Sequence, residues 1–205
     1  TDVMGSTTEY FYNEINQLDS VLNALGAVSK YTYDPAGNMI SFTDPKVNLT
    51  SYAYDAMNRM ITKTDALGGI WSYSYDLAGN KLSQEDPNGN VSSFTYDALN
   101  RVTEIVDPMG GMTQKVFDAN GKVNSQTDAN GNTYSYAYDA AGRMISITDP
   151  LGGTSQSAYD GAGNVTTTTD PNGNSTNYVY DALRRLVTLT NALAPVTTFS
   201  YDPAG

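Results

Sequence analysis

The sequence predicts an all-β protein, an antiparallel meander with two strands in every 21-residue repeat. Three observations carry that prediction. An aromatic-Asp pair recurs without one insertion or deletion, its aromatic falling at Tyr12, Tyr33, Tyr54, Tyr75, Tyr96, Phe117, Tyr138, Tyr159, Tyr180 and Tyr201. Each interval holds two turn signals, such as YDPAGN (33–38) and DPNGN (86–90). Between them lie five- to seven-residue segments such as TYSYAY (133–138) and MISIT (144–148), where aromatic or β-branched residues alternate with small or polar ones. A period of two is the strand signal, and turn residues return too often to leave room for a useful helix.

Counting the aromatic as position zero, the near turn follows it at once: YDPAGN (33–38), YDLAGN (75–80), YDAAGR (138–143). The far turn comes about ten residues later: DPNGN (86–90), DPMGG (107–111), DPLGG (149–153). Both follow one logic. Asp in first place hydrogen-bonds the backbone two residues on, Pro or Ala suits the next φ, and Gly or Asn accepts a positive φ. Asp-Pro-x-Gly reads as a type I turn closed by a Gly bulge. The chain opens with Thr1-Asp2, matching Thr43-Asp44, and closes on YDPAG (201–205), read as one more near turn. It is therefore expected to be a window of a longer array, residues 1–205 forming a single run of about ten repeats.

Ten position-zero strands and nine between them make 19, a strip roughly 90 Å long at about 4.8 Å per strand. An odd repeat sets a puzzle. Two identical three-residue turns would put successive tyrosines on opposite faces of the sheet. Holding them on one face needs an extra residue per repeat, either in one of the turns or as a β-bulge. Bulges twist and bend sheets, so the strip is expected to coil into a spiral sheet, tube or shell segment rather than stay flat.

Composition narrows the function classes. Hydrophobic residues make up 40% of the 205, Tyr outnumbers the other aromatics at 16, and the net charge is −11. That sign opposes nucleic-acid backbones and anionic membranes, and no apolar run has the length of a membrane span. With no His and no Cys, imidazole acid/base chemistry, thiolate nucleophiles and most zinc sites are absent. No P-loop, Rossmann fingerprint or nucleophile elbow is present.

The remaining candidates divide between chemistry and architecture. Nine Asp follow position zero (Asp34, Asp55, Asp76, Asp97, Asp118, Asp139, Asp160, Asp181, Asp202) and eight open far turns (Asp2, Asp44, Asp65, Asp86, Asp107, Asp128, Asp149, Asp170). Only Asp19 stands outside both registers. A catalytic carboxylate is singular and sits in a pocket; one repeated at every corner serves the corner. Asp86, Asn88 and Asn90 alternate like calcium ligands, as do Asp128, Asn130 and Asn132. The Gly comes too early for an EF-hand loop and no bidentate Glu follows, which favours the turn. The tyrosines at position zero, and Tyr10, Tyr31, Tyr52, Tyr73, Tyr136 and Tyr178 two residues earlier, suit either packing or glycan stacking. Position six supplies an apolar partner (Leu18, Met39, Met60, Val102, Val123, Met144, Val165, Leu186), which favours packing. Lys81 interrupts that column and Arg184 takes the place of a turn Gly, two departures from the repeat whose effect the residues alone leave open. No catalytic, cofactor or metal site is expected.

Tyr-Asp-x-x-Gly-Arg/Asn, then Thr-Asp-Pro-x-Gly, as in YDAAGRMISITDPLGG (138–153), resembles the YD repeat of Rhs proteins along essentially the whole chain. The resemblance implies a secreted or surface-exposed strip that spirals into a hollow shell. In bacterial members that shell encloses a toxin passenger, and in teneurins it serves adhesion. The passenger and the Gly-rich boundary signature preceding it are not in these 205 residues. The leading expectation is therefore a structural wall that encloses or extends, with neighbouring repeats, copies of the chain or a polypeptide passenger as partners. An adhesin binding glycan through its aromatics ranks second, and an enzyme a distant third.

Overall fold

The computed structural model describes residues 7–192 and 196–202; Asp2 and the end of the closing YDPAG lie outside the described residues. Nineteen strands and no helix occur among the described residues, as the repeat count requires. They form two compact units divided between Gly110 and Gly111. The first holds β1 (Glu9–Tyr12), β2 (Leu18–Leu22), β3 (Val28–Tyr33), β4 (Met39–Thr43), β5 (Leu49–Tyr54), β6 (Met60–Thr64), β7 (Ile70–Tyr75), β8 (Lys81–Glu85), β9 (Val91–Tyr96) and β10 (Val102–Val106). The second holds β11 (Met112–Phe117), β12 (Val123–Thr127), β13 (Thr133–Tyr138), β14 (Met144–Thr148), β15 (Thr154–Tyr159), β16 (Val165–Thr169), β17 (Ser175–Tyr180), β18 (Leu186–Asn191) and β19 (Thr197–Thr198). Within each unit every strand pairs antiparallel with the next in sequence.

Near and far turns are built alike. In the near turn at 34–38 the Asp34 N–H donates to the Asn38 carbonyl (2.9 Å) and the Gly37 N–H to the Asp34 carbonyl (3.0 Å). In the far turn at 44–48, Asp44 and Val47 repeat both bonds, at 3.0 and 2.9 Å. The fourth residue carries positive φ in both, 92° at Gly37 and 66° at Val47. A three-residue loop leaving through a left-handed residue is the conformation Asp-Pro-x-Gly encodes.

Since the turns do not differ, the extra residue must lie in a strand, and it does. Tyr33 faces Met39 while Thr32 faces Ser41, so Ile40 is bulged out of the ladder. The same shift isolates Ile61, Leu82 and Thr103 in the first unit and Asn124, Ile145, Thr166 and Val187 in the second. In the first repeat the bulged residue is Asp19, which explains why that acid belongs to neither turn register. The bulge restores even parity, so within each unit the position-zero aromatics stay on one face. It also sets a stagger: straight across from Thr32 lie Ser41 and then Ser51, two residues short of Ala53, the next repeat's counterpart of Thr32. One residue per strand inclines the strands by roughly 35° to the line of turns, the shear that curling sheets carry.

Period-two alternation gives each unit two unlike faces. One carries position zero, the residues two and four before it, and position six; the other carries Ser and Thr. Hydroxyl pairs bridge that second face at Thr32–Ser41 (2.6 Å), Thr127–Thr133 (2.8 Å) and Thr148–Thr154 (3.0 Å). In β9 the aromatic-face residues Ser92, Phe94 and Tyr96 are half-buried and Val91, Ser93 and Thr95 exposed. No side chain among the described residues is fully buried. Position six does partner position zero across the ladder, as in Tyr54 with Met60, but among the described residues this face forms no closed core. Stability in such an array comes from contacts between neighbours.

Candidate functional site

Chemistry-bearing side chains converge on the near turns. The β3–β4 ladder runs up to the near turn, pairing Tyr33 with Met39, whereas the β4–β5 ladder ends at Ser41 and Ser51. Beyond that end the Tyr54 hydroxyl donates to the Met39 carbonyl at 2.9 Å, joining strands the ladder no longer joins. The same latch, always reaching 15 residues back, links Tyr33 to Leu18 (3.0 Å), Tyr75 to Met60 (2.9 Å) and Tyr96 to Lys81 (2.9 Å). In the second unit it links Tyr138 to Val123 (3.0 Å), Tyr159 to Met144 (2.8 Å) and Tyr201 to Leu186 (2.8 Å). The repeated residue is thus a tyrosine for its hydroxyl as well as its ring.

Each turn Asp is a hub for backbone donors. Asp34 Oδ1 accepts the N–H groups of Ala36 and Asn38, both at 2.9 Å, while Oδ2 accepts the Asn38 amide at 2.8 Å. That side-chain bond leads in holding the Asp34 carboxyl below its ordinary range, against an opposing desolvation effect. Asp44, Asp76, Asp86, Asp128, Asp160 and Asp170 are lowered the same way by Asn48, Asn80, Asn90, Asn132, Asn164 and Asn174. At Asp139 and Asp181 the backbone N–H of Arg143 and Arg185 is the leading cause. Carboxylates stabilised as acceptors are the reverse of a general acid, which needs its proton held on. In the loop that spaces oxygens like a calcium site, Asn90 turns its amide nitrogen to Asp86 at 2.8 Å and Asn88 donates its backbone N–H at 2.8 Å. Those bonds occupy the carboxylate from within the turn.

Position five couples several repeats to the next. Arg59 binds Asp55 Oδ2 (2.7 Å), donates to the Asp76 carbonyl (2.6 Å) and lies 4.8 Å from the Tyr75 ring centre. Arg143 repeats this with Asp139 (2.7 Å), the Asp160 carbonyl (2.9 Å) and Tyr159 (4.6 Å). Arg185 joins Asp181 (2.8 Å) and lies 4.6 Å from Tyr201. Where position five is Asn, Asn38 donates to Asn58 and Asn80 to Asn100, each at 2.8 Å, and both acceptors occupy the left-handed place of the following turn.

These couplings alternate with a period of 42. Arg stands at 59, 101, 143 and 185, and Asn or Lys at 38, 80, 122 and 164. The 21-residue count overlooked this double repeat, although the 84-residue spacing of DPNGNVSSFTYDALNR (86–101) and DPNGNSTNYVYDALRR (170–185) carried the signal. Lys81, an interruption in the apolar column, is accommodated: its ammonium lies 4.9 Å from the Phe94 ring centre and bonds Gln84 at 2.9 Å. Arg184 does adopt the left-handed conformation, with φ 63°. A depression of about 700 Å³ beside Tyr159 is shallow and open, and its charged residues, Asp139 and Arg143, are already paired with each other.

The RHS Repeat family model matches four times, over residues 33–70, 75–111, 117–154 and 159–195. The chain belongs to the RHS repeat family. Successive matches begin 42 residues apart, so each covers two 21-residue repeats and takes in both kinds of position five. Among solved structures the chain is similar to the Tc holotoxin pore of Photorhabdus luminescens carrying a TccC3 mutation, with 18% identity and TM-score 0.49 over 98% of this chain. It is also similar to TcdB2-TccC3-Cdc42 (18%, TM-score 0.46, 98% of this chain) and TcdB2-TccC3-TEV (13%, TM-score 0.46, 92%). The chain spans only 13% to 15% of those three chains. Comparison with curated proteins gives no match.

Proposed function

We propose that this chain is a length of wall in a secreted RHS-repeat shell, that residues 1–205 are one uninterrupted array, and that the shell encloses a polypeptide passenger. What supports the reading is where the reactive groups are directed. Position-zero Tyr hydroxyls and the guanidinium groups of Arg59 and Arg143 join one repeat to the next, and the turn Asp carboxylates are engaged within their own corners, an economy suited to mechanical continuity and not to turnover. A wall of this kind acts by exclusion: it separates what lies on its two faces, and each added repeat extends it by two strands. The passenger, where present, is carried by other parts of the protein. Negative-stain electron microscopy of the intact protein that carries this chain tests the proposal. Compact hollow particles that protect an internal segment from added protease are expected. Long solid rods, or a passenger segment as protease-sensitive inside the protein as outside it, would overturn it.

A further inference from the structure

In the first unit an Asn at position five spends both of its amide hydrogens. Asn38 gives one to Asp34 and the other to Asn58 Oδ1, both at 2.8 Å, and Asn80 does the same with Asp76 and Asn100. Asn164 keeps the first bond, to Asp160 at 2.8 Å, but residue 184, which holds the place of Asn58 and Asn100, is Arg. The corner itself is unchanged. The Arg184 N–H donates to the Asp181 carbonyl at 2.9 Å with φ 63°, as Asn58 donates to Asp55 at 3.0 Å with φ 61°. A donor therefore stands opposite a donor where the two counterpart corners set a donor against an acceptor. Among the described residues the exposed Arg184 guanidinium has no hydrogen bond, ion pair or ring contact.

The hydroxyl latch is missing at the same seam. Among the described residues from Tyr33 onward, Tyr180 is the position-zero tyrosine that does not donate to the carbonyl 15 residues back, and its hydroxyl makes no other hydrogen bond. The β16–β17 ladder ends at Thr167 and Asn177. Beyond that end, toward the near turns, the second Asn164 amide hydrogen, the Tyr180 hydroxyl and the Arg184 guanidinium remain unspent, and all are donors. The corner carboxylates are already engaged. Asp181 holds Arg185 at 2.8 Å, and Asp160 accepts the N–H groups of Ala162 (2.9 Å) and Asn164 (2.8 Å) besides the Asn164 amide. Their charge still matters. Corners 160–164 and 181–185 together hold two Asp against two Arg, whereas 34–38 with 55–59, and 76–80 with 97–101, hold two Asp against one Arg. One added negative charge brings this seam to the balance its counterparts carry; a phosphate dianion would set two charges beside two carboxylates.

We propose that this seam is a carboxylate-binding site. A carboxylate is planar, singly charged and acceptor-only, so its two oxygens meet the Arg184 guanidinium side by side and keep lone pairs for the Asn164 amide and the Tyr180 hydroxyl. Bound there, it supplies the acceptor that Asn58 and Asn100 supply in their own corners and joins the two repeats across β16 and β17. Water serves the same donors in its absence, so charge and planarity are what distinguish the bound state. The site does not depend on what the wall encloses.

Nuclear magnetic resonance of the whole chain at neutral pH, following the Asn164 side-chain amide and the Arg184 Nε–H, tests this with sodium acetate as probe and sodium chloride at equal ionic strength as control. Acetate is expected to shift both signals saturably and chloride not, with slower hydrogen exchange at the near-turn ends of β16 and β17. Arg184→Gly, the residue Gly142 already provides at this place, is expected to weaken acetate binding read at Asn164 at least about tenfold, as loss of a bond to a charged group does. Arg184→Asn, the residue of the counterpart corners, is expected to abolish the saturable response and to slow exchange with no acetate present. Tyr180→Phe, expected to weaken acetate about fivefold, keeps the test available should either variant fail to fold. A blocked acetyl-Gly-Glu-Gly-amide peptide separates the sources. A response to it as well as to acetate assigns the site to an acidic side chain of a polypeptide, and a response to acetate alone assigns it to a small free acid. Acetate shifts that match those of chloride, or a folded Arg184 variant that keeps the natural response, would overturn the proposal.

Discussion

Replacing Tyr75 by Phe removes one oxygen and leaves the ring under Arg59, so it isolates the hydroxyl latch from everything else the side chain does. The lost bond runs 2.9 Å to the Met60 carbonyl, half-buried, where neither strand ladder continues. A bond of that kind contributes about 1 kcal/mol net, within about 0.5–1.5, which is roughly a fivefold change in an opening equilibrium. Tyr75→Ala also removes the ring. Adding about 0.5–1 kcal/mol for the guanidinium contact and about 1 for the apolar surface it covers brings the loss to about 3 kcal/mol, over a hundredfold. Arrays of this type do not unfold in one step, so a global midpoint is the wrong measurement. Native-state hydrogen exchange reads the effect where it belongs. In Tyr75→Phe, the amides at the near-turn ends of β6 and β7 are expected to exchange about fivefold faster, with strands two repeats away unchanged. If Tyr75→Phe matches the natural sequence while Tyr75→Ala exchanges far faster, the hydroxyl does nothing and the latch is wrong.

Other perturbations reach the remaining features. Deleting Ile61, the bulged residue of β6, returns the repeat to odd parity and sets Tyr54 and Tyr75 on opposite faces; limited proteolysis is expected to cut near residues 55–75, and resistance equal to the natural chain would refute the parity argument. Val47→Gly relieves a β-branched residue at φ 66° and is expected to stabilise its turn by about 1 kcal/mol, after allowing for the freer unfolded chain, read as slower exchange in β4 and β5. The turn carboxyls of Asp34, Asp76 and Asp86 are lowered in the folded state, so their contribution is present above the unfolded carboxylate range near 3.9 and is lost as pH falls below it. An acid titration by circular dichroism is expected to show loosening that begins below about pH 4 and moves to lower pH in Asp86→Asn, since Asn23 already performs that role. Burial raises Tyr54 and Tyr75, so their contribution holds below about pH 10 and is lost as pH climbs through the folded value.

Much of this architecture was legible in the residues because the repeat removes ambiguity: one turn signal is local, but an aromatic returning ten times at 21-residue intervals, with a turn on either side, is an element map. Strand number, strand type, the two faces and the pairing of Tyr54 with Met60 all follow from period and parity. Parity also required an extra residue, but not its address. Turn and bulge give the same count, and only the register, with Thr32 opposite Ser41, identifies Ile40. The latch was harder to read, since a Tyr ring and a Tyr hydroxyl share one letter; the acceptor is a main-chain carbonyl, which has no letter at all. Arg143 and Asn38 read as turn ends because their partners, Tyr159 and Asn58, lie in the following repeat. The 42-residue alternation stood in plain sight and was masked by the stronger 21-residue beat.

That alternation constrains how such a gene can lengthen or shrink. Unequal crossing-over that inserts a block of 42 residues rejoins Asn38-type and Arg59-type corners in their proper order, so every seam finds its complement. A block of 21 brings two corners of one kind together, and an amide such as that of Asn38 then meets a neighbour without the Asn58 oxygen. Descendants of an ancestral array should therefore differ in size by even numbers of repeats.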